Sequence, residues 1–520
     1  MERKETFDLS GRYTEQDVIE ELSNHHIILQ DASTAMTAVF LDTFDWRLFN
    51  ASFVLHQSGQ NLILRDLKTN QILEQQSIEA RPTFIEDFPL GSLQLRLASI
   101  IEMRALLPIT IADLQSSTYR VLNKDAKTVV RLTYETVQSD GQSDDQATIS
   151  HLHVHPIRGY DKPMQKLKVQ LKKMGAEPDL PNISRQALAW SSRTPGGYSA
   201  KIDLPLKAKM RADEATKLIL QFLLQIIKRN EFGIKQDIDT EFLHDFRVAI
   251  RRKRSALAQI KGVFPEETVQ QFKQDLSYIG KLTGELRDLD VYLLAEASYK
   301  DMLPPQLQTE IEPLFAYLKR KRAAALKRVS KDLNGQKYAD ILQTWEDFLN
   351  EPKRQTPTAP NAKQPIIVIA RHRIYRKYGQ IIKEGQRILQ DVNMVDEELH
   401  DLRIECKKLR YLLEFFSNLF PKKALTLLTK QLKVLQNNLG DFNDLCVQED
   451  YLMRVTDEMG RSRSSTASDI IKVNRAIGAL IGVLHQERER EKAEFAETFT
   501  RFSAPTNQAR FKQLFAAERA

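Results

Sequence analysis

The chain is short of everything that would staple it, thread it through a bilayer or keep it unfolded. Only two of its 520 residues are cysteine, Cys406 and Cys446. Two cannot form a disulfide framework, and they suit a reducing compartment. Glycine and proline number 19 each, which excludes a collagen-like or broadly low-complexity chain. The longest apolar runs, such as IIVIA at 366–370, fall far short of the ~20 residues needed to cross a bilayer. The opening residues, MERKETFDLS, have no apolar segment of the kind a secretory signal carries. A soluble, cytoplasmic protein is expected, and no membrane partner. The sequence also has no G-x-x-x-x-G-K-[ST] phosphate loop, no G-x-S-x-G elbow and no H-E-x-x-H pair.

Net charge is also scarce, at +7 overall, but it is unevenly divided. Residues 1–200 hold 21 Lys and Arg against 25 Asp and Glu, whereas residues 201–520 hold 55 against 44. An anionic partner is therefore to be sought in the C-terminal part.

The two parts differ in period. Before residue 200, TAVFLDTF (37–44), SFVLHQ (52–57), NLILRDL (61–67), TVVRLTY (128–134) and SHLHVHPI (150–157) read as short strands, several of them alternating apolar and polar residues. Helices are predicted at 14–24 and 164–175. A mixed α+β sheet or barrel follows, with a hinge at SSRTPGGYS (191–199). After about residue 205, helical periodicity dominates: 212–230, 239–262, 266–298, 308–333, 337–349, 366–391, 396–418, 422–456 and 468–499. The Pro-rich stretch 351–365 divides these helices near their middle.

That division separates two copies of one pattern. HDFRVAIRRKR starts at His244 and HDLRIECKKLR at His400; GELRDLDV starts at Gly284 and GDFNDLCV at Gly440. Both pairs are 156 residues apart, so the helical part is an internal duplication. At about 100° per residue, His244, Arg247, Arg251 and Arg254 share an arc of roughly 80°. Beside it runs an apolar stripe of Leu243, Phe246, Ile250 and Leu257. The second copy repeats this with His400, Arg403, Lys407 and Arg410 beside Leu399, Leu402, Cys406 and Leu413.

Like charges at the border of a core need compensation. One source is internal: Asp245, Asp401, Glu405, Asp288, Asp290 and Asp444 can form an ion-pair network between helices. The other is a polyanion held between the two basic edges, for which the planar fork of arginine is well suited. The run KRKRAAALKR (319–328) reads as a solvated face. Arg371, Arg376 and Lys377, with Lys430 and Lys433, can extend the basic surface. His151, His153 and His155 alternate along one strand face, a spacing compatible with a metal site or with a plain exposed face. No local acidic or cysteine ligand accompanies them, and neither a metal nor a cofactor is expected. Cys406 reads as a small core residue.

The motifs LHDFRVAIRRKRSAL, LTGELRDLDVYL, LHDLRIECKKLRYLLEFF and LQNNLGDFNDL resemble the CHAD family, the conserved histidine α-helical domain. The resemblance covers residues 205–515, as a first helical unit (205–350), a loop (351–365) and a second unit (366–515). It implies an all-α domain of two pseudo-symmetric helical bundles around a basic channel that binds inorganic polyphosphate. The residues it implies are His244, Arg247, Arg251 and Arg254 with His400, Arg403, Lys407 and Arg410, to which the adjoining Arg252 and Lys408 are added.

Residues 1–198 resemble a CYTH domain, a family of triphosphate tunnel enzymes, through MERKETFDL and VFLDTFDWRLFNASFVLH. The expected fold is thus an α+β barrel domain followed by the all-α domain. Of the opening E-x-E-x-K motif only Glu2-Arg3-Lys4 survives; FVLHQSG stands in place of the Arg-rich strand and LHVHPI in place of the acidic one. Metal-assisted hydrolysis needs carboxylates to fix a cation, so a degenerate, inactive barrel is expected. Three functions follow: non-catalytic polyphosphate binding, with targeting to polyphosphate granules or association with polyphosphate-metabolising enzymes; a metal-dependent triphosphatase or cyclase in the N-terminal domain; and nucleic-acid binding by the basic groove. Protonation of the two histidines is expected to raise polyanion affinity as pH falls through ~6.5.

Overall fold

The computed structural model describes residues 5–9, 13–69, 71–139, 148–178, 183–351, 359–391, 394–461 and 466–516. The Glu2-Arg3-Lys4 remnant and residues 352–358 of the Pro-rich loop lie outside these. The chain divides into two compact units, Met1–Ser199 and Ala200–Ala520.

Among the described residues the N-terminal unit is built on nine antiparallel strands: β1 (Glu5–Asp8), β2 (Ile27–Thr43), β3 (Phe53–Ser58), β4 (Asn61–Asp66), β5 (Ile72–Ser77), β6 (Leu106–Leu122), β7 (Thr128–Ser139), β8 (Thr148–Pro156) and β9 (Glu177–Pro178). They pair in the order β5-β4-β3-β2-β6-β7-β8-β1-β9. The sheet is consistent with a CYTH-like barrel. Among the described residues four α-helices join the strands, α1 (Glu15–Ser23), α2 (Arg47–Asn50), α3 (Ser92–Ile101) and α4 (Asp161–Lys173), and α5 (Ile183–Ala189) follows the last strand. Alternation explains the packing. Leu152 and Val154 of β8 join Leu132, Leu167 and Leu171 in a core beneath α1 and α4. Leu55, Leu62 and Leu64 join Leu93, Leu97 and Ile101 beneath α3. The alternate residues of the same strands therefore share the opposite, inner face of the sheet.

The C-terminal unit is helical: α6 (Ala212–Lys235), α7 (Thr240–Gln259), α8 (Glu266–Leu282), α9 (Gly284–Leu294), α10 (Glu296–Asp301), α11 (Pro305–Gln308), α12 (Glu312–Leu333), α13 (Gln336–Asn350), α14 (Ile366–Gln390), α15 (Asp396–Phe415), α16 (Lys422–Gly460), α17 (Ala467–Phe502) and α18 (Pro505–Phe515). A shift of 156 residues carries α6 onto α14, α7 onto α15, α8–α9 onto α16 and α12 onto α17. Contacts between the copies obey the same correspondence: α6 touches α14, α7 touches α15 and α12 touches α17. An element meeting its own counterpart is what a two-fold axis produces, because only elements on the axis are their own mates' neighbours. Backbone bonds between the starts of α6 and α14 reinforce it, with Ala212 N donating to Gln364 O at 2.9 Å and Ile366 N to Met210 O at 2.8 Å.

Glycine permits two of the close helix approaches. A Cβ on Gly233 of α6 would overlap the ring of Phe242 on α7, and one on Gly385 of α14 would overlap Phe499 on α17. Among the described residues no helix is long and apolar enough to cross a membrane.

Candidate functional site

The two motif helices are fixed at their starts. Asp239 caps α7, its carboxylate accepting from Glu241 N at 2.9 Å and Phe242 N at 3.2 Å. In α15, Asp396, Glu397 and Glu398 occupy the first turn, where the helix dipole favours carboxylates. Leu243, Phe246, Ile250 and Leu257 are buried, as are Leu399, Leu402, Cys406 and Leu413. Since α7 packs on α15, the cations bordering these stripes are brought together.

Each copy holds its histidine through the second motif. His244 Nδ1 lies 3.0 Å from Arg287 Nη2, and His400 Nδ1 bonds Asn443 Oδ1. Arg287 and Asn443 are again 156 residues apart. A guanidinium only donates, so His244 Nδ1 must accept, and protonating it would set two donors face to face. This qualifies the expected histidine pH effect for the first copy.

The arginines behave differently. Arg403 donates to Asp444 at 2.9 Å. Arg247 donates instead to Gly280 O at 2.9 Å and Thr283 Oγ1 at 3.0 Å. The Gly280 carbonyl is the acceptor that Gly284 N would use in a continuous helix. The first copy is interrupted at Thr283, between α8 and α9, whereas α16 runs unbroken for 39 residues.

Charge repulsion marks where the edges meet. The Lys407 ammonium is pushed down to about 8, first by burial, then by Arg403, Arg251 and Arg410, with Asp444 opposing. Arg251 comes from α7 and Lys407 from α15, so the basic edges of the two copies share one field. Arg247 and Arg287 are lowered by burial and again by Arg251, with Asp288 pulling the other way. Buried guanidinium nitrogens here lack acceptors: Arg247 Nε, Arg287 Nη1 and Arg403 Nε. Such groups cost free energy until an acceptor arrives. Among the described residues Arg251, Arg254 and Lys407 form no ion pair.

Other predicted residues are engaged internally. The Arg252 fork lies on Glu414 at 2.9 Å and donates to Ala200 O at 2.8 Å, tying α7 to α15. Arg410 pairs with the same Glu414 at 2.7 Å. Lys377 and Lys408 both pair with Glu405. Arg376, Lys430 and Lys433 are exposed on α14 and α16 without ion pairs among the described residues, and Arg371 keeps a buried Nε without an acceptor. The run 319–328 is not simply solvated, a correction to its sequence reading. Arg322 bonds Asp290 and Asp237, each at 2.6 Å; Arg328 pairs with Glu285 at 2.6 Å; Lys321 crosses to Glu458 of the other copy.

Sequence reasoning missed Arg287, Arg373 and Lys253. Arg287 lies inside the repeated GELRDLDV motif, and its shared offset with Asn443 was the available signal. Arg373 is lowered by burial and by Arg376. Lys253 looks like part of the basic run but is wholly buried, its Nζ 3.6 Å from the Trp345 ring centroid.

In the N-terminal unit the histidines are not on an exposed face. His151 and His153 are 1% and 4% exposed. A carboxylate does accompany them, supplied by the neighbouring strand: His153 Nε2 lies 2.8 Å from Glu135, and Thr6 is 2.9 Å from its Nδ1. Among the described residues no three His, Cys, Asp or Glu side chains group in a manner that could hold a metal. The same face contains a cavity of about 250 Å³ lined by residues that include His56, Arg65 and Glu135.

Comparison with known proteins agrees with the duplicated motif. The CHAD domain family model matches residues 218–453. Those residues are a CHAD domain. A protein of Mycobacterium tuberculosis (strain CDC 1551 / Oshkosh), itself named only as uncharacterized, is 24% identical over 272 residues, covering 50% of this chain and 51% of its own. The chain thus spans about half the length of that curated relative. Among solved structures, the CHAD domain from the plant Ricinus communis is 25% identical with a TM-score of 0.49, covering 58% of this chain and 96% of that one. PptA from Streptomyces chartreusis is 12% identical with a TM-score of 0.42, covering 56% and 99% respectively.

Proposed function

We propose that the CHAD domain binds inorganic polyphosphate along the paired basic edges of α7 and α15, without chemistry. The observation that carries this reading is the packing of α7 on α15, which gathers Arg251 of one copy with Arg403, Lys407 and Arg410 of the other and leaves Arg247 Nε and Arg403 Nε without acceptors among the described residues. Such a cluster is destabilised as it stands and relieved by an anion that touches both helices. The chain's repeated charges match a repeating phosphate, and arginine donors without acceptors supply its hydrogen bonds. Arg251, Arg254 and Lys407 form the centre, His244, Arg247, His400 and Arg403 the flanks.

Polyphosphate offers no bases to read, so affinity follows charge and falls steeply with salt as counterions are released. Titrating the protein with labelled polyphosphate at several salt concentrations tests this, with RNA as competitor. RNA that displaces polyphosphate at equal phosphate concentration would move the reading to nucleic-acid binding. Imaging a tagged protein against polyphosphate staining tests targeting to polyphosphate granules.

The N-terminal unit is proposed as non-catalytic. Among the described residues Glu135 is the one carboxylate lining its inner cavity, and one carboxylate is too few to fix a divalent cation. Metal-dependent phosphate release from tripolyphosphate would revive a triphosphatase.

A further inference from the structure

The inner face of the N-terminal sheet holds a second site, whose composition follows from strand register. Residues paired across antiparallel strands lie on the same face. Phe40 pairs with His56, Val54 with Arg65, Met36 with Leu114, Leu114 with Val137, and Ser116 with Glu135. Register alone therefore gathers His56, Arg65 and Glu135 with Met36, Phe40, Leu114 and Val137, and these line the cavity of about 250 Å³. That volume is about that of eight liquid waters. It is just below the ~300–1,000 Å³ of drug-sized pockets, so its occupant is small.

Among the described residues the lining has one cation and one anion. Burial lowers Arg65 and Glu135 opposes that shift, so the two charges act on each other. His56 is 2% exposed, and burial followed by Arg65 pushes its imidazole down to about 3, leaving it neutral at pH 7. Its Nδ1 has no hydrogen-bond partner. A buried polar atom left unpaired beside a cavity is a site waiting for a ligand atom. The balance of charge suits a ligand with one charge of each sign better than a triphosphate, which would bury several negative charges against the single guanidinium among the described residues.

We propose that this cavity binds a small zwitterion, a molecule with one carboxylate, one ammonium group and an apolar body, as in a free α-amino acid. Arg65 receives the carboxylate, its fork giving two parallel bonds. Glu135 receives the ammonium, His56 Nδ1 completes the polar contacts, and Met36, Phe40, Leu114 and Val137 enclose the apolar body. This site is independent of polyphosphate binding by the CHAD domain.

Calorimetric titration of the full chain with a panel of common free amino acids tests the proposal. At least one apolar amino acid is expected to bind saturably with a Kd of ~1 mM or tighter. Its N-acetyl and its amide derivatives, each lacking one charge, are expected to bind at least about tenfold more weakly. Arg65→Gln and Glu135→Gln are each expected to weaken binding by a similar factor while leaving polyphosphate affinity unchanged. Should either variant fail to fold, the derivatives carry the same test on the wild-type protein. No saturable binding up to ~10 mM, equal binding of the capped derivatives, or displacement by tripolyphosphate that Arg65→Gln abolishes would each overturn it.

Discussion

The two copies of the helical repeat share a scaffold and differ in how they spend their polar groups. In the first, Arg287 holds His244, and Arg247 reaches past its motif carboxylate to Gly280 and Thr283, where the helix is interrupted. In the second, the neutral Asn443 holds His400, Arg403 has an ion pair with Asp444, and α16 is continuous. At these two pairs of equivalent positions, 287 with 443 and 247 with 403, the first copy therefore carries one more cation and one fewer direct ion pair. Helix spacing, apolar stripe and basic edge were duplicated together; local charge compensation was not. The result is a field weighted towards the first copy, felt by Lys407 in the second.

The comparison is broken most severely through the backbone. Gly233→Ala and Gly385→Ala each force a methyl group into a buried phenyl ring, one in each copy, and overpacking of this kind costs ~1–3 kcal/mol. Urea denaturation should show losses of that size for both; a loss in one copy alone would mean that the copies do not depend equally on close helix approach. A smaller effect follows from Arg287→Asn, which gives the first copy the second copy's residue. Polyphosphate affinity should fall about tenfold, the value of one charged hydrogen-bonding group, and Asn443→Ala should cost less. Equal losses would erase the asymmetry.

The third effect is a pH dependence. Lys407 is pushed down to about 8 in the unoccupied protein, and a bound phosphate raises it again. Binding then takes up a proton above pH 8, is at full strength below it, and weakens as pH rises. Affinity should drop about tenfold from pH 7 to pH 9. In Lys407→Arg, whose charge persists, that part of the slope should vanish; an unchanged slope would assign it elsewhere. Smallest is Arg252→Gln, which loosens the link to Glu414 and Ala200 and should change stability more than affinity, read by comparing denaturation with titration.

Much of this was legible in the sequence because helices announce themselves by period. Eight of the nine helical stretches predicted after residue 205 appear as one helix each, since each has to bury one stripe, while 266–298 is divided into α8, α9 and α10. The duplication was legible because two motifs shared one offset. The strands β1, β5, β6 and β9 and the helices α2, α3, α5 and α18 were not anticipated: β6 contains Pro108 and exposed polar positions, and besides the adjacent β7 it pairs with β2, some 80 residues distant in the chain. At the site, the edges of α7 and α15 could be drawn as arcs, but periodicity cannot say which cations meet carboxylates from other helices. Arg252 and Glu414, or Lys377 and Glu405, are such pairs. The burial of His151 and His153 escaped for a similar reason, because Glu135 reaches them across strands.

The most direct test is polyphosphate titration of the Arg251→Ala, Lys407→Ala double variant beside the wild type at fixed salt and pH 7. One cation is removed from each copy where their edges meet, and neither is tied into the fold by an ion pair. Affinity should fall about 100-fold with little change in unfolding; wild-type affinity in the double variant would contradict the account.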